Sequence, residues 1–197
     1  MREQQIANLQ PPGAGLPWWE LMTLRCGFRY ARMAICDEQA MRRFKLQADR
    51  IISLTAKLDR RQGTQRVLIP RITGIEDSSR FWSIFMVLDH LCIVNEQIIL
   101  IVQTLMDAKD LRQAFRIEGV KPDPGVGPET MEAYADCVRR YESELAPRVP
   151  LKSRGRHVHP WFGPIDAHAW HCLAGIHHSI HRRQIVLILQ RLTGRKG

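Results

Sequence analysis

Apolar side chains recur at three- and four-residue steps along most of the chain, the spacing that holds one face of an α-helix against a core. After a start rich in proline and glycine, which predicts a flexible segment over 1–17, the pattern runs from about Trp18 to Ala34. Asp37 is the expected cap of the next stretch, where Met41, Phe44, Ala48, Ile51, Thr55 and Leu58 mark one buried face. The two stretches are one bent helix or two. Gly63 ends the pattern, and Ile69-Pro70 and Gly74 make the segment to Ser79 a connector. Asp77 or Ser78 then caps a helix over 78–106, whose Asp89, Glu96 and Gln103 share one solvent stripe on an otherwise apolar surface. Gly119 and KPDPGVGP form a loop, and Pro128 opens a helix with Met131, Tyr134, Val138, Tyr141 and Leu145 on its apolar side. Pro147 and Pro150 close it. A long basic loop, PRVPLKSRGRHVHPWFGP, leads to a last helix from about Asp166 to Leu192.

No alternating strand pattern of useful length and no internal repeat accompanies these helices. The pattern therefore predicts an all-α fold, an antiparallel four-helix bundle with long connecting loops, as a single domain over 18–194. A chain of 197 residues that is 45% hydrophobic can fill one such core. The most apolar run, 81–105, is interrupted by Asp89, His90, Asn95, Glu96 and Gln97, so a buried helix is expected and no membrane partner. Trp18, Trp19 and Tyr30 are expected in the core.

Five widely separated cysteines form no CxxC pair, which argues against a disulfide framework or a thiolate zinc site and favours a reducing, cytoplasmic setting. The N-terminus lacks the apolar stretch of a signal peptide. The net charge of +9 is spread through 42–61, 139–156 and 182–196, the distribution of solvated faces, and no nucleic-acid module is present, so no nucleic acid partner is expected.

The histidines change the picture. Apart from His90, all of them lie between 157 and 181. On the last helix His177 and His181 stand about 40° apart, on the side of Trp170, Ala174, Ile188 and Leu192. His171 and His178 lie about 100° round and His168 opposite, which predicts rim or surface positions. His90 shares its side of the middle helix with Val87, Val94, Gln97 and Ile101. A polar ring in an apolar wall needs a partner. Two readings fit: core histidines satisfied by neighbours, or three ligands of one cation, since a four-residue helical step lets two imidazoles reach one ion. Zinc, nickel and ferrous iron all suit imidazole. Ser83 and Gln97 are the candidate acceptors for ring N–H groups. His159 is either a loose candidate base or a ring stacked on Trp161. Lys152, Arg154 and Arg156 either overhang the site and greet an anionic group or are solvated. Cys92 and Cys172 read as small buried apolar groups.

FWSIFMVLDHL at 81–91 and HPWFGPIDAHAWHCLAGIHHSIHRRQI at 159–185 resemble the DinB-like (DinB/YfiT) superfamily of metal-binding four-helix bundles. The likeness covers about 70 to 190, and the segment before 62 is longer than in a minimal member. It implies a divalent metal in a pocket at one end of the bundle, with ligands His90, His177 and His181, often in a homodimer. Some members resemble transferases acting on low-molecular-weight thiols, others metal-dependent hydrolases or isomerases. The expectation is thus a metal-dependent thiol transferase or hydrolase with a small-molecule substrate. The alternative is a non-catalytic metal-binding, ligand-binding or protein-interaction bundle.

Overall fold

The computed structural model describes residues 8–109 and 118–194, and the chain it shows is mostly helical. Helices α1 (Trp18–Ala34) and α2 (Asp37–Thr55) are separate, because Ile35 and Cys36 are extended. Cys36, rather than Asp37, caps α2 in a reciprocal box with Gln39, which frees the Asp37 carboxylate for the Leu151 N–H and His168. Met41, Phe44, Ala48, Ile51 and Thr55 are buried as the periodicity requires. A short helix α3 (Arg60–Thr64), capped by Asp59, lies where the pattern ended.

The next helix, α4 (Ile84–Met106), starts later than the sequence suggests. Asp77–Arg80 forms a 3-10 turn, and β2 (Phe81–Trp82) pairs antiparallel with β1 (Val67–Leu68) before Ser83 caps α4 by accepting from the Met86 N–H at 3.2 Å. By length and composition α4 passes as a membrane span, yet 67% of its most apolar window is buried inside the protein, as a core helix requires. Asp89, Glu96 and Gln103 are half-buried rather than open to solvent: they meet the Asp123 N–H, Arg140 and Glu144.

Helix α5 (Glu129–Leu145) follows Pro128, and α6 (Ala167–Thr193) is capped by Asp166 and ends at Gly194 with φ 68°. A hairpin of β3 (His157–His159) and β4 (Gly163–Ile165) precedes α6. Strands this short offer no alternation to read in a sequence. Helices α2 and α6, α4 and α5, α4 and α6, and α2 and α5 pack against one another round one core that includes Phe44, Phe85, Leu88, Ile98, Tyr141 and Trp170.

Helix α1 lies against α6 and adds Phe28 to this core. Trp18, Trp19 and Tyr30 are 77%, 56% and 76% exposed, which overturns the expectation that they are core residues. Phe28 faces inward instead, and Glu20, 1% exposed, receives Arg71 Nη2 at 2.7 Å and the Gly74 N–H at 2.8 Å. The expected flexible segment 1–17 falls partly outside the described residues. Its described part donates backbone N–H groups from Gln10 to Asp77 and from Gly13 and Gly15 to Glu76.

Candidate metal centre

The i, i+4 step on α6 sets His177 and His181 one above the other, and α4 brings His90 across from them. Their ligand atoms lie within 4.8 Å of one another, close enough to hold a metal ion. His90 Nε2 is 3.2 Å from His177 Nε2. Tetrahedral ligands about 2.1 Å from a zinc ion stand roughly 3.4 Å apart, so this pair is already at coordination spacing.

Backbone and amide acceptors select the tautomers. A carbonyl only accepts, so His90 Nδ1 carries the proton donated to the Val120 oxygen at 2.5 Å, leaving Nε2 as a bare lone pair. His181 Nδ1 donates to Gln184 Oε1 at 2.7 Å, and the Gln184 amide donates to the Ser79 carbonyl at 2.7 Å. Burial pushes His90 down to about 4 and His177 and His181 well below the ordinary imidazole value, and the mutual proximity of the rings adds to it. All three are neutral at pH 7, the form that binds metal. The donor set therefore fits a divalent ion of borderline softness.

The expected acceptors differ from those found. Ser83 is occupied as the α4 cap and Gln97 is exposed, so neither supports a histidine. Gln184 was visible only as part of the QI pair that closes the family-like segment. Val120 had no visible signal, because its contribution is a main-chain oxygen.

His171 and His178, expected at the rim, are fully buried, because α6 is covered by α2, α4 and α1 together. His171 bonds Tyr141 Oη at 2.9 Å and the Asp37 carbonyl at 3.1 Å; His178 donates to the Ala174 carbonyl at 2.9 Å and packs on Phe44. His168 is half-buried between Asp37 Oδ1 at 2.5 Å and the Arg32 carbonyl. Contact with the Cys172 sulfur, together with Asp37 and that carbonyl, pushes it up to about 10.

His159 accepts the Trp161 N–H through Nδ1 at 3.1 Å and packs on Phe162 and Trp170. Burial pushes it down to about 3, a poor value for a general base. Lys152, Arg154 and Arg156 are exposed and stand outside the cavity wall, as solvated loop residues do.

A cavity of about 270 Å³ adjoins the three histidines. Leu24 and Phe28 of α1, Val94 and Ile98 of α4, and Leu173 and Ile176 of α6 supply much of its wall. Sequence reasoning missed the ion pair at its edge, Lys121 Nζ to Glu76 Oε2 at 2.8 Å, with Lys121 over the Trp82 ring.

No family model matches the chain, and neither a curated protein nor a solved structure does.

Proposed function

We propose that the chain is a DinB-like antiparallel four-helix bundle whose His90, His177 and His181 hold one divalent ion, zinc, nickel or ferrous iron. The site would serve a metal-dependent thiol transferase or hydrolase reaction on a small molecule. The observation that carries this reading is the pair of fixed tautomers: Val120 and Gln184 occupy Nδ1 of His90 and His181 and leave both Nε2 atoms bare beside His177. Three imidazoles leave a divalent ion an open position, where a bound water or thiol loses its proton near neutral pH. In this reading Val120 and Gln184 hold the rings in register, and the apolar wall positions the substrate beside them.

A non-catalytic metal- or ligand-binding bundle is the second reading, and one observation favours it. The carboxylate among the described cavity residues is Glu76, already engaged by Lys121 and by the Gly13 and Gly15 N–H groups, so no spare base stands there. A homodimer belongs to the same proposal, supported by the apolar face that Trp18, Trp19, Met22, Tyr30 and Met33 leave exposed on α1. A reducing, cytoplasmic setting is supported by the five free cysteines.

Elemental mass spectrometry of untagged protein, beside a His90→Ala/His177→Ala double variant, tests the metal. About one divalent ion per wild-type chain and none in the variant is expected. Wild type that stays empty after incubation with zinc and with nickel removes the metal reading. Thiol-transfer and hydrolysis screens of the loaded protein then separate the catalytic from the non-catalytic reading.

A further inference from the structure

We infer that the cavity beside the histidines takes a molecule with an uncharged, largely apolar body of one to two rings and at most one donor group turned to the histidines. For that donor end the inference rests on the metal reading; for the apolar body it stands on the wall alone.

Two charged side chains line the cavity among the described residues, Glu76 and Lys121, and each is spent on the other. Lys121 Nζ has three N–H groups and three oxygen partners: Glu76 at 2.8 Å, Ser78 at 3.1 Å and Ser79 at 3.2 Å. Glu76 also accepts from the Gly13 and Gly15 N–H groups at 3.2 and 3.1 Å. Away from the histidines, a ligand carboxylate, phosphate or ammonium would thus meet no free opposite charge and would lose its hydration against Leu24, Phe28, Val94, Ile98, Leu173 and Ile176. The basic loop of Lys152, Arg154 and Arg156 stands outside the wall and supplies no cation to it.

Size narrows the class further. A cavity of about 150 Å³ lined by apolar side chains admits benzene. The volume here, about 270 Å³, has room for a substituted or fused aromatic or a branched acyl chain. Leu24, on the α1 side of the wall, is the specificity-determining residue to test.

Titration calorimetry with three probes separates the possibilities: n-propylbenzene, which has no donor, 2-phenylethanethiol, and the anionic thiol 2-mercaptoethanesulfonate. On zinc-loaded wild type, 2-phenylethanethiol is expected to bind at least about tenfold tighter than the sulfonate, and n-propylbenzene to bind with or without zinc. Leu24→Trp, which fills the cavity, is expected to weaken both aromatic probes by about tenfold or more while zinc content stays at the wild-type value. Leu173→Phe serves the same purpose from α6 if Leu24→Trp fails to fold. Tighter binding of the sulfonate, or aromatic binding untouched in a folded filled variant, overturns the inference and leaves the metal reading standing. Wild type that takes up no zinc yet binds n-propylbenzene, and loses it in the variant, removes the metal reading and keeps the apolar site. If n-propylbenzene binds neither form, the inference fails.

Discussion

Gln184 couples two things that the sequence presents as unrelated, the orientation of His181 and the attachment of α6 to the turn before α4. It is fully buried. Gln184→Leu keeps the volume and strands both the His181 Nδ1–H and the Ser79 carbonyl. The expected cost is about 2 kcal/mol of stability and a loss of roughly ten- to a hundredfold in metal affinity. Denaturant unfolding and competition with a chromogenic chelator measure the two, and wild-type affinity in the variant would show that the amide plays no part at the site. The three histidines themselves were legible because helical periodicity fixes which way a side chain points. Their supports were not. Ser83 looked available only because α4 was read as starting at 78, and a main-chain oxygen such as that of Val120 leaves no mark in a sequence.

Among the elements, α1 shows where periodicity runs out. Leu21, Leu24, Phe28 and Ala31 form one apolar line and Trp19, Met22, Cys26, Tyr30 and Met33 another, so spacing alone does not choose the face that packs. The choice is made by Phe28 on Phe162, with ring centroids 4.5 Å apart, by Arg25 on the Trp161 carbonyl, and by buried Glu20. Glu20→Ala leaves the Gly74 N–H without its acceptor, at about 1–3 kcal/mol. Amide exchange is expected to quicken across Trp18–Ala34 and to stay slow across Ile84–Met106. Equal quickening in both helices would mean that α1 is an integral part of the core rather than a separately attached element. The start of α2 is joined to α6 through His168 and Asp37. The folded protein holds His168 protonated up to about 10, whereas an unfolded imidazole loses its proton near 6.5. Its stabilisation is therefore fully present below about pH 6.5 and disappears as pH rises through about 10. The deficit of His168→Gln against wild type, measured by urea unfolding, should be largest at pH 6 and close to nothing beyond pH 10. A deficit that does not change with pH would reduce the contact to neutral packing.

For the molecule as a whole, the long stretches of the fold were legible and the connections were not. Long apolar helices announce themselves by length and period, whereas two-residue strands and a 3-10 turn are fixed by partners distant in the chain, as Val67 is by Trp82. The same contrast sets how a metal would act on stability. The core holds large buried side chains on every long helix that surrounds it, so the chain has no need of an ion to fold, unlike a small zinc domain. A ligand that binds only the folded state still raises stability, by about 2.7 kcal/mol at a hundred times its dissociation constant. For a domain of this size that is a rise of roughly 5 to 10 °C in Tm. Zinc or nickel should thus shift the melting of wild type by that amount, reversibly with a chelator, and leave the His90→Ala/His177→Ala variant where it was. A chain that unfolds when the chelator is added would overturn the view that the core folds by itself. A variant that gains as much as wild type would place the metal on other residues, the exposed histidine-free surface included.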